Sequence, residues 1–313
     1  MQPQLSSSKA KFQKQWGSIR KNWLLYLFLL PCLAYIIIFN YIPLYGIQIA
    51  FKDFRAVTGI WGSPLADPWF KYFLRFFDSY QFTTLLYNTL SLSIYQLLAS
   101  FPLPIILALL INYTTIPKLK KFSQTVTFAP HLISVVVMTG MLIVFTSSNG
   151  LFNQLLKLLG GAPVNFLGRE DLYQPIYVWS TVWQHVGYNA IIYIAALSGV
   201  NDELHEAAIV DGANKLKRIW HIDIPAILPT MVILLILNVG NLMNIGFEKS
   251  YLLQNNLNLG RSEIISTYVY KVGIQGAQYS YATAVGLFNN IINFILLLTV
   301  NRISRKVSGN SLW

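Results

Sequence analysis

The sequence predicts an all-α membrane protein with six transmembrane helices and both termini in the cytoplasm, and two observations lead to this fold class. First, 54% of the 313 residues are hydrophobic and only 11% are charged, whereas a typical soluble domain has about 25% charged residues. Second, six stretches contain no Asp, Glu, Lys or Arg, and each exceeds the roughly 20 apolar residues that a helix needs to cross the hydrocarbon core. These stretches are 22–51, 79–117, 122–156, 172–201, 224–247 and 272–301.

The distribution of basic residues predicts the orientation. The net charge is +11, and its placement favours a membrane surface over a nucleic acid. With six crossings, one side of the membrane receives 14 of the 23 Lys and Arg residues: five in 1–21 and three each in 118–121, 215–218 and 302–306. The other side receives the remaining nine over longer loops. Because Lys and Arg in short flanking segments are typical of the cytoplasmic side, we expect both termini there.

The predicted membrane domain spans 22–302, between a basic cytoplasmic tail at 1–21 and a second cytoplasmic tail at 303–313. Its first apolar segment contains the single cysteine, Cys32, and is longer than the 7–15 residues of a signal-peptide core, so we expect it to be retained. Pro102 and Pro104 should kink the second helix, because proline removes a helical hydrogen bond. The six membrane helices are predicted at about 23–44, 88–112, 125–146, 175–199, 226–247 and 281–300.

A dense charged segment, 201–225, lies between the predicted fourth and fifth helices. Asn201 is placed to cap a helix that should end near Gly212, because glycine commonly follows a helix end. Asn214 is placed to cap a second short helix, which Pro225 should end. The segment therefore predicts two short helices joined by a glycine hinge.

The acidic residues of this segment bear on what it contacts. Four of them, Asp202, Glu203, Glu206 and Asp211, lie in its first half. A helix lying on lipid headgroups usually has a Lys- and Arg-rich polar face, so a groove of a partner protein suits this segment better. A surface helix on the headgroups is the alternative.

The stretch "EAAIVDGANKLKRIWHIDIPAILP" resembles the EAA loop of importer permeases in the ATP-binding cassette superfamily, and we call 201–225 the EAA loop. The family pattern is E-A-A, two residues, D-G-A, then an apolar stretch ending in proline. The matching residues are Glu206, Ala207, Ala208, Asp211, Gly212, Ala213 and Pro225. One position departs from the pattern: Ile219 replaces the usual aromatic residue, and Trp220 lies beside it. "YIPLYGIQIAFKDF" and the final "SLW" further resemble sugar-importer permeases of the lipoprotein-associated polysaccharide type.

This resemblance implies a permease subunit of the bacterial inner membrane that passes a sugar or oligosaccharide delivered by an extracytoplasmic binding protein. The implied partners are a second homologous permease chain, two copies of a cytoplasmic ATP-binding cassette ATPase, and membrane lipid. The EAA loop would sit in a cleft of the ATPase, with Glu206 as polar anchor, Gly212 as hinge and the three alanines as the close-contact surface. Trp220 and Pro225 complete the implied ATPase-coupling set. ATP and Mg²⁺ would be used by the ATPase, so this chain would bind no cofactor.

Other functions are less well supported by the residues. No G-x-x-x-x-G-K-[ST] phosphate loop occurs, so we expect no ATP hydrolysis by this chain alone. The alternative function is an ion-coupled secondary transporter subunit, but ion coupling usually needs intramembrane carboxylates or histidines. The six uncharged stretches offer only His131 and His185. A membrane enzyme is third, because no His, Cys and Asp set has metal-ligand spacing.

Candidate residues for the solute path are polar side chains inside the predicted helices. Gln184, Tyr188 and Asn189 lie in the fourth helix. Asn238, Asn241 and Asn244 recur at i, i+3 and i+6 and should share one stripe of the fifth helix. Amides beside aromatic rings suit sugar hydroxyls and ring faces, whereas hydrogen bonding between helices is the alternative role. Neither a neutral nor an acidic sugar is favoured.

Overall fold

A computed structural model describes residues 21–309 and 311–312, and this part of the chain is all-α. The α-helices are α1 Trp23–Ile36, α2 Gly59–Gly62, α3 Lys71–Phe77, α4 Gln81–Ser100, α5 Pro102–Asn112, α6 Pro117–Phe128, α7 Val135–Thr146, α8 Leu151–Leu158, α9 Glu170–Leu197, α10 Asp202–Val210, α11 Lys215–Arg218, α12 Ile224–Gly240, α13 Phe247–Leu253, α14 Leu259–Ser262, α15 Ile265–Tyr270 and α16 Tyr279–Ser308. Among the described residues, β structure is limited to one antiparallel bridge between Lys52 and Leu65.

Five helical stretches of the described residues are long and apolar enough to cross a membrane. They are Trp23–Phe51, Gln81–Asn112, Val135–Leu158, Lys215–Gly240 and Tyr279–Lys306. Helix α9 has 28 residues but is not among them. Polar residues along α9, including Gln174, Gln184 and Asn189, dilute its apolar character. The all-α membrane fold is therefore confirmed, and the count of six crossings stays a prediction.

The first membrane helix has no buried residue in its first 19 positions, Trp23–Tyr41. It continues from α1 through π-helical Ile37–Tyr41 and 3₁₀-helical Ile42–Phe51, so it is longer than the predicted 23–44. Only its last part packs on the chain, where Ile42–Phe51 contacts α16. The apolar face of α1 is therefore free to meet lipid or another protein.

In the structure the second membrane helix starts earlier than predicted, and the third predicted helix is not continuous. Helices α4 and α5 are separated only at Phe101, beside Pro102, but α4 begins at Gln81 rather than 88. The predicted 125–146 divides because α6 ends at Phe128 and Ala129–Leu132 forms a 3₁₀ turn. Proline inside this turn lacks an N–H, and the Ser134 side chain accepts from Val137 N to cap a new helix, α7.

Helix α9 is the centre of the fold. It packs against α4, α5, α6 and α12, and Tyr173, Tyr177 and Val178 are buried in the core that it forms with α4 and α7. Gly187 allows the closest approach, because a Cβ at this position would collide with the Thr127 carbonyl of α6. The structure begins this helix at Glu170, five residues before the predicted start at 175.

The last two membrane helices form a packed pair. Helix α12 packs along α16, and it ends at Gly240, seven residues before the predicted end at 247. Helix α16 runs to Ser308, so it includes much of the predicted tail 303–313. Residues 1–20, most of the predicted basic tail, lie outside the described residues.

Candidate functional site

The first half of the EAA loop folds as its sequence predicts. The Asn201 side chain accepts a hydrogen bond from Glu203 N at 3.0 Å and caps α10. The helix ends at Val210, and Gly212 adopts a φ of +74°. The amides of Gly212 and Ala213 donate to the carbonyls of Ile209 and Ala208, which is the pairing of a glycine-terminated helix end. The predicted cap and the helix end at glycine are both confirmed, and the hinge role of Gly212 stays a prediction.

The second half of the loop departs from the prediction at Pro225. The Asn214 side chain accepts from Lys217 N at 2.9 Å and caps α11, as expected. The helix does not end at Pro225, however. It continues through π-helical Ile219–Asp223 into α12 and so joins the membrane helix directly. Pro225 follows the π-helical turn directly, at the point where the hydrogen-bonding pattern of the continuous helix changes.

The predicted coupling residues form an open surface. Glu206, Ala207, Asp211, Gly212 and Pro225 are exposed, and Ala208 and Ala213 are partly buried. Apolar side chains share this surface: Val210 is 87% exposed and Trp220 66% exposed. Because large apolar side chains in an exposed group mark an interaction site, this surface has the character of a docking site.

A buried carboxylate, which the sequence pattern did not reveal, attaches the EAA loop to the membrane helices. Asp223 is fully buried, and its Oδ2 accepts a 2.7 Å hydrogen bond from Tyr113 Oη, just after α5. His205 Nε2 of α10 lies 3.4 Å from Asp223 Oδ1, and the Arg218 guanidinium lies 5.6 Å from the centre of the Tyr113 ring. Burial, followed by the hydrogen bond to Asp223, raises the pKa of the Tyr113 phenol, which keeps it a donor at neutral pH.

A polar cavity of about 210 Å³ brings together four of the six predicted solute-path residues. They are Asn189, Asn238, Asn241 and Asn244, and the other polar lining residues are Ser93, Gln96 and Ser100 of α4. Sequence reasoning missed these three, although each lies in an otherwise apolar predicted helix. Ser93 Oγ, Gln96 Oε1 and Ser100 Oγ are buried without a hydrogen-bond partner among the described residues. The polar lining of the cavity is therefore made of uncharged amide and hydroxyl side chains.

The predicted asparagine stripe is wrong, although its residues do converge. Only Asn238 lies on α12, because the helix ends at Gly240 and the chain then turns. Asn244 Nδ2 donates to Asn241 Oδ1 at 3.3 Å within the turn, and Asn289 Nδ2 of α16 donates to Asn244 Oδ1 at 2.8 Å. The turn, rather than a helical repeat, directs Asn241 and Asn244 into the cavity.

The other two predicted path residues do not line this cavity. Gln184 is buried and donates a 2.7 Å hydrogen bond to the Ile133 carbonyl, at the break between α6 and α7. Tyr188 stacks on His131 with ring centres 3.9 Å apart. Gln184 therefore has a satisfied contact between helices in this structure, whereas Tyr188 remains 44% exposed.

Known proteins resemble this chain in sequence and in fold. Residues 85–309 match the family described as binding-protein-dependent transport system inner membrane component. Protein LplB of Bacillus subtilis (strain 168) is 42% identical over 295 residues, which cover 94% of this chain and 92% of that protein. The polygalacturonan/rhamnogalacturonan transport system permease protein YteP of the same organism is 41% identical, covering 92% of this chain and 90% of that protein.

Two solved structures are also similar. One is a crystal structure of a bacterial ABC transporter involved in the import of the acidic polysaccharide alginate. Its matching chain has a TM-score of 0.85 and 38% identity, covering 94% of this chain and 99% of that chain. The other is a bacterial alginate ABC transporter in complex with an alginate pentasaccharide-bound periplasmic protein. Here the TM-score is 0.86 and the identity 37%, covering 95% of this chain and 99% of that chain.

The comparisons decide between the functions left open by the sequence. The matching family is a transport system inner membrane component, and YteP is named a transport system permease protein, so this chain is a transport subunit and not an enzyme. The two similar solved structures are ATP-binding cassette transporters, which rules out the alternative of an ion-coupled secondary transporter. The resemblance inferred from the EAA loop is confirmed. The chain belongs to the family of binding-protein-dependent transport system inner membrane components and is a permease subunit of an ATP-binding cassette importer.

Proposed function

We propose that this permease forms the path by which an oligosaccharide crosses the bacterial cytoplasmic membrane after delivery by an extracytoplasmic binding protein. The observation that carries the proposal is the polar cavity between α4, α9 and the turn after α12. Its polar lining consists of uncharged amides and hydroxyls. Groups of this kind can exchange hydrogen bonds with sugar hydroxyls. The names of two relatives, which refer to polygalacturonan and arabinooligosaccharide transport, support a carbohydrate.

The cavity proposal is tested by uptake in proteoliposomes that contain the complete importer. Asn189→Ala removes one amide from the cavity, and Asn149→Ala is the matched control, because Asn149 is exposed and does not line the cavity. One lost hydrogen bond of about 0.5–1.5 kcal/mol should lower uptake roughly 2- to 10-fold in Asn189→Ala. If both variants transport equally well, the cavity is not the solute path.

We also propose that the EAA loop docks on a cytoplasmic ATPase, which binds ATP and Mg²⁺, whereas this chain binds no cofactor. A complete importer would contain two ATPase copies and a second homologous permease. Support comes from the exposed acidic and apolar surface of α10 and from the direct continuation of α11 into α12. Because that helix is unbroken, movement at the loop passes directly to a membrane helix.

Two variants test the coupling role. Gly212→Pro forbids the positive φ of the hinge, and Glu206→Lys reverses a charge at the proposed interface. Asp78→Lys is the control, because Asp78 is an exposed acid outside the loop. We expect both loop variants to insert normally and to lose ATPase co-purification or solute uptake. If both loop variants keep wild-type uptake and still bind the ATPase, the EAA loop has no coupling role.

The proposed topology has six crossings, with α9 as the fourth, and both termini in the cytoplasm. The five apolar stretches and the length of α9 support this count. In a Cys32→Ala background, Ser8→Cys and Ser308→Cys place one thiol in each terminal segment. A membrane-impermeant maleimide should label both only after the cells are lysed. Labelling of either thiol in intact cells would contradict the topology.

A further inference from the structure

Helix α6 has one face that the rest of the described chain leaves uncovered. Its other face packs against α9 and α5, where the Thr127 carbonyl lies against Gly187. On the uncovered face, Leu119, Phe122 and Val126 are all exposed. Side chains three and four residues apart are neighbours on a helix, so these three form one continuous apolar row, which we call the α6 strip.

Basic side chains lie beside the α6 strip, at the end of α6 that the proposed topology puts in the cytoplasm. Lys118 and Lys121 are exposed, and Lys120 is partly buried. The ion pairs of the described residues include none of the three, and the chain contains no acidic residue between Asp78 and Glu170. The positive charge of α6 is therefore not balanced by an acid in α6 itself or in the adjoining α5.

The charged and apolar side chains occupy adjacent parts of one face. With 3.6 residues per turn, Lys118 and Lys121 fall on one flank of the exposed face and the α6 strip falls on the other. An apolar arc beside a cationic arc is typical of a helix at the boundary between acyl chains and headgroups. Basic segments next to a membrane helix attract the anionic lipids of the cytoplasmic leaflet. The face therefore has the two features that recognise an anionic amphiphile.

Two protein occupants suit this face less well. The proposed ATPase would meet the EAA loop, whose first half contains four acidic residues, so its groove should be basic or rich in donors. Such a groove would repel the lysines of α6. A second permease seated on α6 would bury the lysines in an interface, where lysine is depleted. Lipid instead leaves the ammonium groups in the headgroup layer while the α6 strip meets acyl chains.

We propose that this face of α6 is a binding site for an anionic phospholipid of the cytoplasmic leaflet. The lipid phosphate accepts charge-assisted hydrogen bonds from Lys118 and Lys121, and an acyl chain lies along the α6 strip. A zwitterionic lipid offers the same acyl chains without the net negative charge, so the site discriminates by headgroup. The inference goes beyond solute transport and takes only the leaflet from the proposed topology.

The test measures which lipid contacts α6 in the complete importer, reconstituted in nanodiscs with cysteine-free partner subunits. Because Cys32 is an exposed free thiol, it is replaced by Cys32→Ala. Thr125→Cys then places a bimane label on the exposed face, about 12 Å along the helix from Pro117. The nanodiscs contain equal amounts of phosphatidylglycerol and phosphatidylcholine, and a doxyl quencher is attached to the acyl chain of one lipid or the other.

The lysines determine the expected result. One lysine near an anionic surface is worth roughly a fivefold preference, so the label should report phosphatidylglycerol binding at least about fivefold tighter than phosphatidylcholine. Lys118→Gln combined with Lys121→Gln should remove this preference. Arg302→Gln combined with Arg305→Gln is the matched control. It removes the same charge from exposed positions of α16, a helix that packs along α12, and should leave the preference unchanged.

Four results would overturn the lipid site. The first is equal quenching by the two lipids when all the lysines are present. The second is an equal loss of preference in the α16 control, which would indicate only the overall charge of the chain. The third is quenching by neither lipid, as expected if a protein covers α6. The fourth is a preference that persists at high salt, because salt screens exposed charges. The first, third and fourth results need no lysine variant, so the test decides even if the double lysine variant fails to fold.

Discussion

The hydrogen bond between Tyr113 and Asp223 gives a direct test of how the EAA loop is held. Tyr113→Phe removes only the phenolic oxygen and keeps the ring that lies near Arg218. Asp223 is fully buried, its Oδ2 accepts the 2.7 Å hydrogen bond from Tyr113, and its Oδ1 lies 3.4 Å from His205 Nε2. A hydrogen bond to a charged group contributes about 1.5–3 kcal/mol. Because about 1.4 kcal/mol corresponds to a tenfold change in an equilibrium constant, the equilibrium constant for local opening of the EAA loop should rise about 10- to 150-fold.

Hydrogen–deuterium exchange of the purified permease in lipid nanodiscs measures this opening. Amides of Asp202–Val210 should exchange faster in Tyr113→Phe by this factor, because local opening limits their exchange. Amides of Tyr279–Ser308, which lie far along the chain in α16, should be unchanged. Tyr80→Phe is the matched control, since Tyr80 is 89% exposed and the substitution deletes the same atom.

A second variant isolates the charge of Asp223. Asp223→Asn keeps the shape of the side chain and replaces the carboxylate by an amide. A neutral hydrogen bond contributes only about 0.5–1.5 kcal/mol, so Tyr113→Phe should accelerate exchange less in the Asp223→Asn background. Exchange in Tyr113→Phe within twofold of wild type would refute the idea that this bond holds the loop.

Three further predictions concern the hinge, the helix core and one acidic side chain. In Gly212→Ala the added Cβ meets no neighbouring atom, but the residue must adopt a positive φ, which costs about 1–2 kcal/mol. Hydrogen–deuterium exchange of the α10 amides should therefore rise roughly 5- to 30-fold. An unchanged exchange rate would contradict the role of Gly212 as a hinge. Gly187→Ala should lower the melting temperature of the purified permease, because overpacking costs about 1–3 kcal/mol, whereas Gly140→Ala, with open space around its Cβ, should not. Hydrogen bonds, first from Lys71, hold the pKa of Asp53 below its usual 3.8. Their stabilising effect is therefore present above the unfolded pKa of about 3.9 and is lost as pH falls through the lowered value. An infrared pH titration of wild type against D53N should show a carboxylate signal whose midpoint lies below pH 3.8, and a midpoint at or above this value would contradict the prediction.

Features that depend on a few neighbouring residues were predictable. The scarcity of charge specified a membrane protein, because a water-facing surface cannot be built from so few charged residues. Asn201, Gly212 and Asn214 act within one helical turn of their own positions, so their roles in starting and ending short helices follow from local chemistry. The EAA pattern is equally local, and the family comparison confirmed it.

Local reasoning failed where a backbone break or a distant partner decided the outcome. Pro225 was expected to end a helix, but the π-helical turn before it placed the proline in the first turn of α12. The break around Pro130 divided one predicted helix into α6 and α7, with a short 3₁₀ turn between them. In both cases the choice between ending and continuing a helix depends on how adjoining turns pack, which a hydropathy pattern does not encode.

By itself, the sequence determined the membrane class, the two capped half-helices and the family. Only the tertiary structure brought Asn189 next to Asn244 in one cavity, joined Tyr113 to Asp223 across 110 positions, and buried Lys249 against Tyr177. The physical reason is range. Caps, hinges and apolar length arise from interactions within a turn or a single helix, whereas a buried charge or a polar cavity exists only when separate helices supply its walls.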